Sequence, residues 1–343
     1  MQLIINSLGT GLRVQDGCFL VTLGERKEAI APRKVSSIFI TTGVNLTTDA
    51  LQLAVEHNID VVLLNRFGDP YGRFWHDRLG SVATIRRRQL HLTESAEGTI
   101  LVKEWLGKKL DNQIRFLEKL RTTRTRVSAE ITAALEAIRP LTEQLEAVTG
   151  TPAEAREAMF QAEAQGARVY FDLLSRVLPE RFHFSGRSRN PARDPFNCLL
   201  NYAYGVLYGK VERACVLAGL DPYIGILHTD NYNKKSMVFD LIENFRIWAD
   251  RTVMGLFATR KVADTQFDTL QNGMTLNKEG KALLLERLVA FLEESIRFNG
   301  RHVKRQDAIQ LFCHRLANRL LGKPADPVPD ILTEEELLSG EGR

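Results

Sequence analysis

The hydrophobic period of this chain changes near residue 80, and that change restricts the fold more than any single motif. Before it, apolar residues gather in short β-rich runs at 3–5, 12–14, 19–23, 38–40, 60–64 and 73–75. Gly9, Gly11, Gly24 and Thr42-Gly43 punctuate these runs, Asp16-Gly17 is a tight-hairpin signal, and Gly68-Asp69-Pro70-Tyr71-Gly72 reads as a turn. A short helical stretch at 48–57 interrupts them. Beyond about residue 81 the spacing becomes three and four residues. Ile100, Leu101, Trp105, Leu106, Leu110, Ile114 and Leu117 share one stripe. Helices are expected at 100–120, 127–148, 151–178, 195–218, 236–259, 277–295 and 305–321. Thr151-Pro152 with Glu154 behind it marks a helix start. The chain therefore reads as α+β: a small, mostly-β domain over 1–85, a larger all-α domain over 86–325, and a tail over 326–343.

Composition enters where function is concerned. With 44% hydrophobic and 26% charged residues, the chain is neither disordered, collagen-like nor a disulfide framework. No run of about 18 apolar residues appears, which excludes a transmembrane helix. Residues 1–8 lack the basic patch and apolar core of a signal peptide, so a cytoplasmic location without membrane contact is expected. Cys18, Cys198, Cys215 and Cys313 are far apart and form no zinc pattern. The formal charge of +4 hides an asymmetry: residues 326–343 hold six acids and one base, so 1–325 carry 45 bases against 36 acids, a charge of +9. A basic body suits a polyanionic partner, and equally an ordinary solvated surface.

Polar residues break apolar patterns at three places in the chain. On the 151–178 helix, Met159, Phe160, Gly166, Ala167, Tyr170 and Leu174 recur at helical spacing, with Glu163 among them. Burying a carboxylate is costly unless it is paired or binds a metal; Arg168 or an Arg from another helix would supply the pairing. His228 ends the apolar segment 223–227 and opens a polar loop, Thr229-Asp230-Asn231-Tyr232-Asn233-Lys234-Lys235. Such a histidine is a hydrogen-bonded core residue or a neutral nitrogen ligand. On the helix opening at Ser236, Asp240 and Glu243 share a face, which suits the helix dipole or a cation. Carboxylates and an imidazole from separate segments suit an octahedral Mg²⁺ or Mn²⁺ site, beside the structural readings just given, and the lack of a second His or Cys nearby speaks against zinc.

Four strings carry these positions further: Glu163-Ala164-Gln165-Gly166-Ala167-Arg168-Val169-Tyr170-Phe171, Arg193-Asp194-Pro195-Phe196-Asn197-Cys198-Leu199-Leu200-Asn201-Tyr202-Ala203-Tyr204, Ala218-Gly219-Leu220-Asp221-Pro222-Tyr223-Ile224-Gly225-Ile226-Leu227-His228 and Phe239-Asp240-Leu241-Ile242-Glu243-Asn244-Phe245-Arg246. In this order and spacing they closely resemble the CRISPR adaptation integrases, metal-dependent DNA endonucleases that insert new spacers into CRISPR arrays. The likeness covers nearly the whole chain, including the β-rich start and Lys109-Leu110-Asp111-Asn112-Gln113. It implies an N-terminal β-sandwich-like dimerisation domain and a helical catalytic domain. It also implies that Glu163, His228 and Glu243 are the catalytic, metal-holding residues for Mg²⁺ or Mn²⁺, with Asp240 a neighbouring acid. The first motif departs from the common Glu-Gly form, since Ala164 follows Glu163. The implied partners are double-stranded DNA, a second copy in a homodimer, and the small second CRISPR adaptation protein, whose dimer two such homodimers flank in a hetero-hexamer.

The implied chemistry is phosphoryl transfer, in which a DNA 3′-hydroxyl attacks a repeat-boundary phosphodiester; water in its place gives endonuclease cleavage. Candidate phosphate contacts are Arg86-Arg87-Arg88, the 108–126 stretch with seven bases and two acids, the 181–193 loop with four Arg, and Arg301, Lys304, Arg305, Arg315 and Arg319. Two other readings stay open. One is a transposon-encoded integrase of the same family. The other is a non-catalytic DNA-binding scaffold in which Glu163 pairs with an Arg and no metal binds. The acidic tail, with Leu337-Leu338, reads as a partner-docking segment, a DNA mimic or a solubilising tail.

Overall fold

The computed structural model describes residues 2–35, 37–57, 59–64, 70–74, 82–189, 191–228, 234–298 and 301–323. The chain divides into two compact units, Met1–Gly80 and Ser81–Arg343.

The first unit contains β1 (Gln2–Ile5), β2 (Gly11–Gln15), β3 (Cys18–Leu23), β4 (Arg26–Ile30), β5 (Ser37–Ile40), β6 (Asn45–Leu46), α1 (Thr48–Glu56), β7 (Asp60–Leu64) and β8 (Pro70–Phe74). One sheet has the order β1-β5-β7-β8, parallel except for β8; the other has the order β4-β3-β2-β6. Alternation along a strand decides which side chains go inward: Leu3 and Ile5 are buried while Ile4 between them is exposed. Leu12, Phe19, Ile38, Val61 and the α1 residues Ala50 and Ala54 meet in one apolar core. This is the expected β-sandwich-like arrangement. Asp16 (φ 50°) and Gly17 (φ 69°) both take the left-handed conformation, and the tight turn joins β2 to β3 with Gln15 opposite Cys18. Strand β4 escapes the hydrophobic pattern because it is an edge strand rich in charge; pairing with β3 makes it a strand. Pro70 to Gly72, expected in a turn, belong to β8. Gly68, Asp69 and Trp75 lie outside the described residues.

The second unit is mostly helical. It comprises α2 (Val82–Glu94), α3 (Ala96–Thr123), α4 (Ser128–Glu146), α5 (Pro152–Val177), α6 (Pro195–Leu217), α7 (Ser236–Ile242), α8 (Arg246–Ala258), β9 (Phe267–Leu270), β10 (Gly273–Leu276), α9 (Lys278–Glu293), β11 (Ser295–Phe298), β12 (Arg301–Lys304) and α10 (Arg305–Leu320). Helix α2 begins at Val82, so a division at 85/86 cuts through it, whereas the units separate before it. Two antiparallel hairpins, β9–β10 and β11–β12, make this unit less than all-α. The first leans on the 181–193 loop, where the Met274 N–H donates to the Ala192 carbonyl at 2.8 Å.

Helices α3, α4 and α5 pack around Leu117, Ile131, Ile138, Met159 and Leu174, and α8 is buried along almost its whole length. A helix apolar or enclosed on every side belongs at the centre of its unit, and α8 carries part of the site described next. No helix among the described residues is long and apolar enough to cross a membrane. Residues 229–233, Pro324, Pro327, Pro329 and the 326–343 tail lie outside the described residues.

Candidate active site

Helices α3, α5 and α7, the start of α8 and the segment ending at His228 line one open cavity of about 1020 Å³. Glu163, His228 and Glu243 all border it, brought together from three separate stretches of chain. Arg168, Arg187, Arg189, Lys234 and Arg246 border it as well, which makes its wall strongly basic.

Glu163 stands beside the buried stripe of α5 and not within it. The inward positions are Ala155, Met159, Ala162, Gly166 and Tyr170, and the Glu163 side chain is 26% exposed. Its partner is neither Arg168, which is exposed, nor another Arg, but the ammonium of Lys109 on α3. Lys109 lies on the inward stripe of α3, between Leu106 and Gln113, and is itself buried. The same signal that singles out Glu163, a charge at an apolar spacing, was available for this lysine. Its Nζ also lies 2.5 Å from Glu243 Oε2. Burial opposes its charge, but Glu243 and Glu163 outweigh burial and raise its pKa, so it is an ammonium.

Glu243 marks a break in the expected 236–259 helix. Residues 243–245 form a turn between α7 and α8, held by Asn244 Nδ2 donating to the Leu241 carbonyl at 3.1 Å. The break turns the Glu243 carboxylate back toward α3 and to Arg246, whose Nε lies 2.8 Å from Oε1. Burial pushes the Glu243 carboxyl up, but Arg246 and Lys109 together hold it at about 2.

Asp240 has a different task from either expectation for it. Its Oδ2 accepts from the backbone N–H of Ile226 (2.6 Å) and Leu227 (3.1 Å), and its Oδ1 accepts from the N–H of His228 (3.1 Å). The same Oδ1 lies 2.6 Å from His228 Nδ1. The buried carboxylate therefore collects the segment that carries the histidine and fixes its ring. With Nδ1 engaged, Nε2 is the nitrogen left for the cavity. Phe160 and Phe239 pack against the imidazole with ring centroids 5.5 and 5.7 Å away. Gln89 on α2 holds the approach, exchanging hydrogen bonds with the backbone of Asp221, and Arg156 Nε donates to the Leu227 carbonyl at 3.1 Å. Neither Gln89 nor Arg156 carries any sequence signal of this role.

The family model described as CRISPR associated protein Cas1 matches residues 3–289. The chain belongs to the Cas1 family. It is 30% identical over 336 residues to CRISPR-associated endonuclease Cas1 1 of Archaeoglobus fulgidus, covering 94% of this chain and 97% of that one. Membership makes it a CRISPR-associated protein, and the relative just described carries the name endonuclease. Its fold is that of a casposase bound to integration product, with TM-score 0.76, 21% identity and 99% of both chains covered. A part of one chain of a Cas6-RT-Cas1–Cas2 complex shares that fold, with TM-score 0.71, 19% identity, and 94% of this chain and 35% of that one covered.

Behind the cavity of this Cas1 chain lies a polar network that sequence reasoning did not find. Asp250 on α8 is buried and accepts from Tyr204 OH at 2.6 Å and Tyr170 OH at 3.1 Å. Burial pushes its carboxyl up to about 6 despite these hydrogen bonds and the nearby Arg187 and Arg246. The Arg246 guanidinium rests 4.6 Å from the Tyr204 ring centroid, so the network braces the arginine that holds Glu243. Arg187 is tied to Asn197 and, at 2.8 Å, to Asn201. Several expected phosphate contacts are likewise engaged within the fold. Arg305 is buried, with Nη1 2.6 Å from Glu294 and its guanidinium over Phe291. Lys304 pairs with Glu293, Arg319 with Glu104 and Arg86 with Asp221. Arg168 and Arg189 remain exposed at the cavity.

Among the described residues, no group of three or more His, Cys, Asp or Glu stands close enough together to hold a metal ion as arranged. The positive charge between the two glutamates is that of Lys109. The donor chemistry nevertheless fits a hard divalent cation: two carboxylates reach one common cationic group, and an imidazole nitrogen borders the same cavity. The buried Oε1 of Gln113, also on that wall, has no hydrogen-bond partner among the described residues and is placed to accept from a cation-bound water.

Proposed function

We propose that this chain is a metal-dependent DNA endonuclease/integrase of CRISPR adaptation, acting in the cytoplasm and joining the 3′-hydroxyl ends of short duplex DNA to repeat boundaries. The observation that carries the reading is the convergence of Glu163, His228 and Glu243 on one basic cavity. Mg²⁺ or Mn²⁺ held by these three residues would supply Lewis-acid stabilisation of charge at the reacting phosphate. The protein supplies the rest. Asp240 keeps the His228 ring in one orientation and its Nε2 free, and Arg246 keeps the Glu243 carboxylate ionised. Arg168, Arg189 and Lys234 offer positive charge to a phosphodiester entering the cavity.

The partners in this reading are double-stranded DNA, a second copy of the chain joined through the β-rich unit, and the small second adaptation protein in a hetero-hexamer. The fold neighbours, a casposase with integration product and a Cas1–Cas2-containing complex, support the DNA and small-protein partners by analogy. The test is strand transfer of a short duplex into a repeat-containing plasmid with Mn²⁺. EDTA, Glu163→Ala or His228→Ala is expected to abolish transfer while DNA binding survives. Normal transfer by either variant in Mn²⁺ would falsify the site assignment.

A further inference from the structure

We propose that Lys109 is the resident counter-ion of the Glu163/Glu243 carboxylate pair and that a divalent cation must displace its ammonium to load the site; the inference rests on the metal-dependent reading above. Lys109 is ion-paired to Glu163 and, at 2.5 Å, to Glu243, while Arg246 stands 2.8 Å from the other oxygen of Glu243. Two carboxylates, one ammonium and one guanidinium form a group of zero net charge. A divalent ion added to that balanced group leaves an excess of two charges in a partly buried wall. Exchanged for the ammonium, it leaves an excess of one. Lys109 therefore weakens metal binding by the free protein, and at the same time it holds two neighbouring carboxylates together when no metal is present.

The residue types suit the division of labour. Arg246 is fixed by Glu243 and by the Tyr204 ring 4.6 Å from its guanidinium, so it stays. Lysine is a compact ammonium on a four-carbon stem of freely rotating bonds, and can leave by a rotamer change. The cavity that Lys109 borders gives it somewhere to go, beside the position a DNA phosphate takes in the proposed reaction.

Mn²⁺ titration of the full-length protein without DNA, followed by the electron paramagnetic resonance signal of free Mn²⁺, tests this. Lys109→Met is expected to bind Mn²⁺ about tenfold or more tightly than wild type, and Lys109→Arg no more tightly than wild type. Folded Lys109→Met protein with wild-type or weaker affinity overturns the proposal. Lys109→Met protein that binds no more Mn²⁺ than Lys109→Met/Glu163→Ala overturns instead the metal reading on which it rests. A second measurement needs no variant: reductive methylation of wild-type lysines with and without Mg²⁺, mapped by peptide mass spectrometry. Lys109 is expected to be modified several-fold faster with Mg²⁺, and equal rates overturn the proposal.

Discussion

Glu243 and Asp250 lie within one buried network, yet their carboxyl pKa values are shifted in opposite directions, which gives their pH dependences opposite signs. The Glu243 carboxyl is held at about 2, below its ordinary 4.5, so its contribution to stability is present above pH 4.5 and lost as pH falls through 2. The loss amounts to about 3 kcal/mol. Asp250 is raised from 3.8 to about 6, so its contribution is present below pH 3.8 and lost as pH rises through 6, again by about 3 kcal/mol. Urea unfolding in EDTA should show wild type losing stability relative to Glu243→Gln between pH 4.5 and 2. Relative to Asp250→Asn, wild type should lose stability between pH 4 and 7. Parallel curves in either comparison would remove the corresponding ion or hydrogen-bond assignment. At this scale Glu163, His228 and Glu243 were legible because each sits in one of the strings that carry the family likeness. Asp240 was visible as an acid, but its work of gathering three backbone N–H groups could not be read, since those donors belong to a segment 12–14 residues earlier.

Elements place these residues through two close approaches that differ in how they yield. At Gly225 a Cβ would stand 2.5 Å from the His228 carbonyl oxygen and 2.9 Å from the Ser236 carbonyl carbon, both backbone atoms. At Gly166 a Cβ would stand 2.7 Å from Leu110 Cδ2, the end of a side chain that can turn aside. Gly225→Ala is therefore expected to move the His228 segment off Asp240 and to reduce strand transfer at least ~100-fold. Gly166→Ala is expected to cost about 1 kcal/mol of stability and leave transfer within a few-fold of wild type. Equal activities for the two variants would count against backbone positioning of His228. The helices with long apolar stripes were readable to within a few residues. The break at 243–245 was not, because Asn244 and the neighbouring backbone decide it and the apolar spacing runs straight through it. The hairpins β9–β10 and β11–β12 were missed for a related reason: each is four residues a side, too short for a period to show.

For the whole molecule, charge is the property that reaches beyond contact distance. Removing residues 326–343 raises the formal charge from +4 to +9. The truncated protein is expected to bind duplex DNA several-fold more tightly at low salt, with a steeper loss on adding salt, when followed by fluorescence anisotropy. Unchanged affinity would mean that the acidic tail does not compete with DNA. The sequence by itself determined the α+β division, the family, the basic body and the three residues that converge on the cavity, because period, motif order and charge are written along the chain. Tertiary structure alone decided what faces them. It set Lys109 between Glu163 and Glu243, made Asp240 the anchor of the His228 segment, and drew Arg305 and Arg187 into the fold. Those assignments depend on which helix faces which. Lys109 and Glu163, 54 positions apart, meet only when the bundle closes, and the nearer pairs, 11 to 14 positions apart, join through turns and element ends that an apolar period does not record.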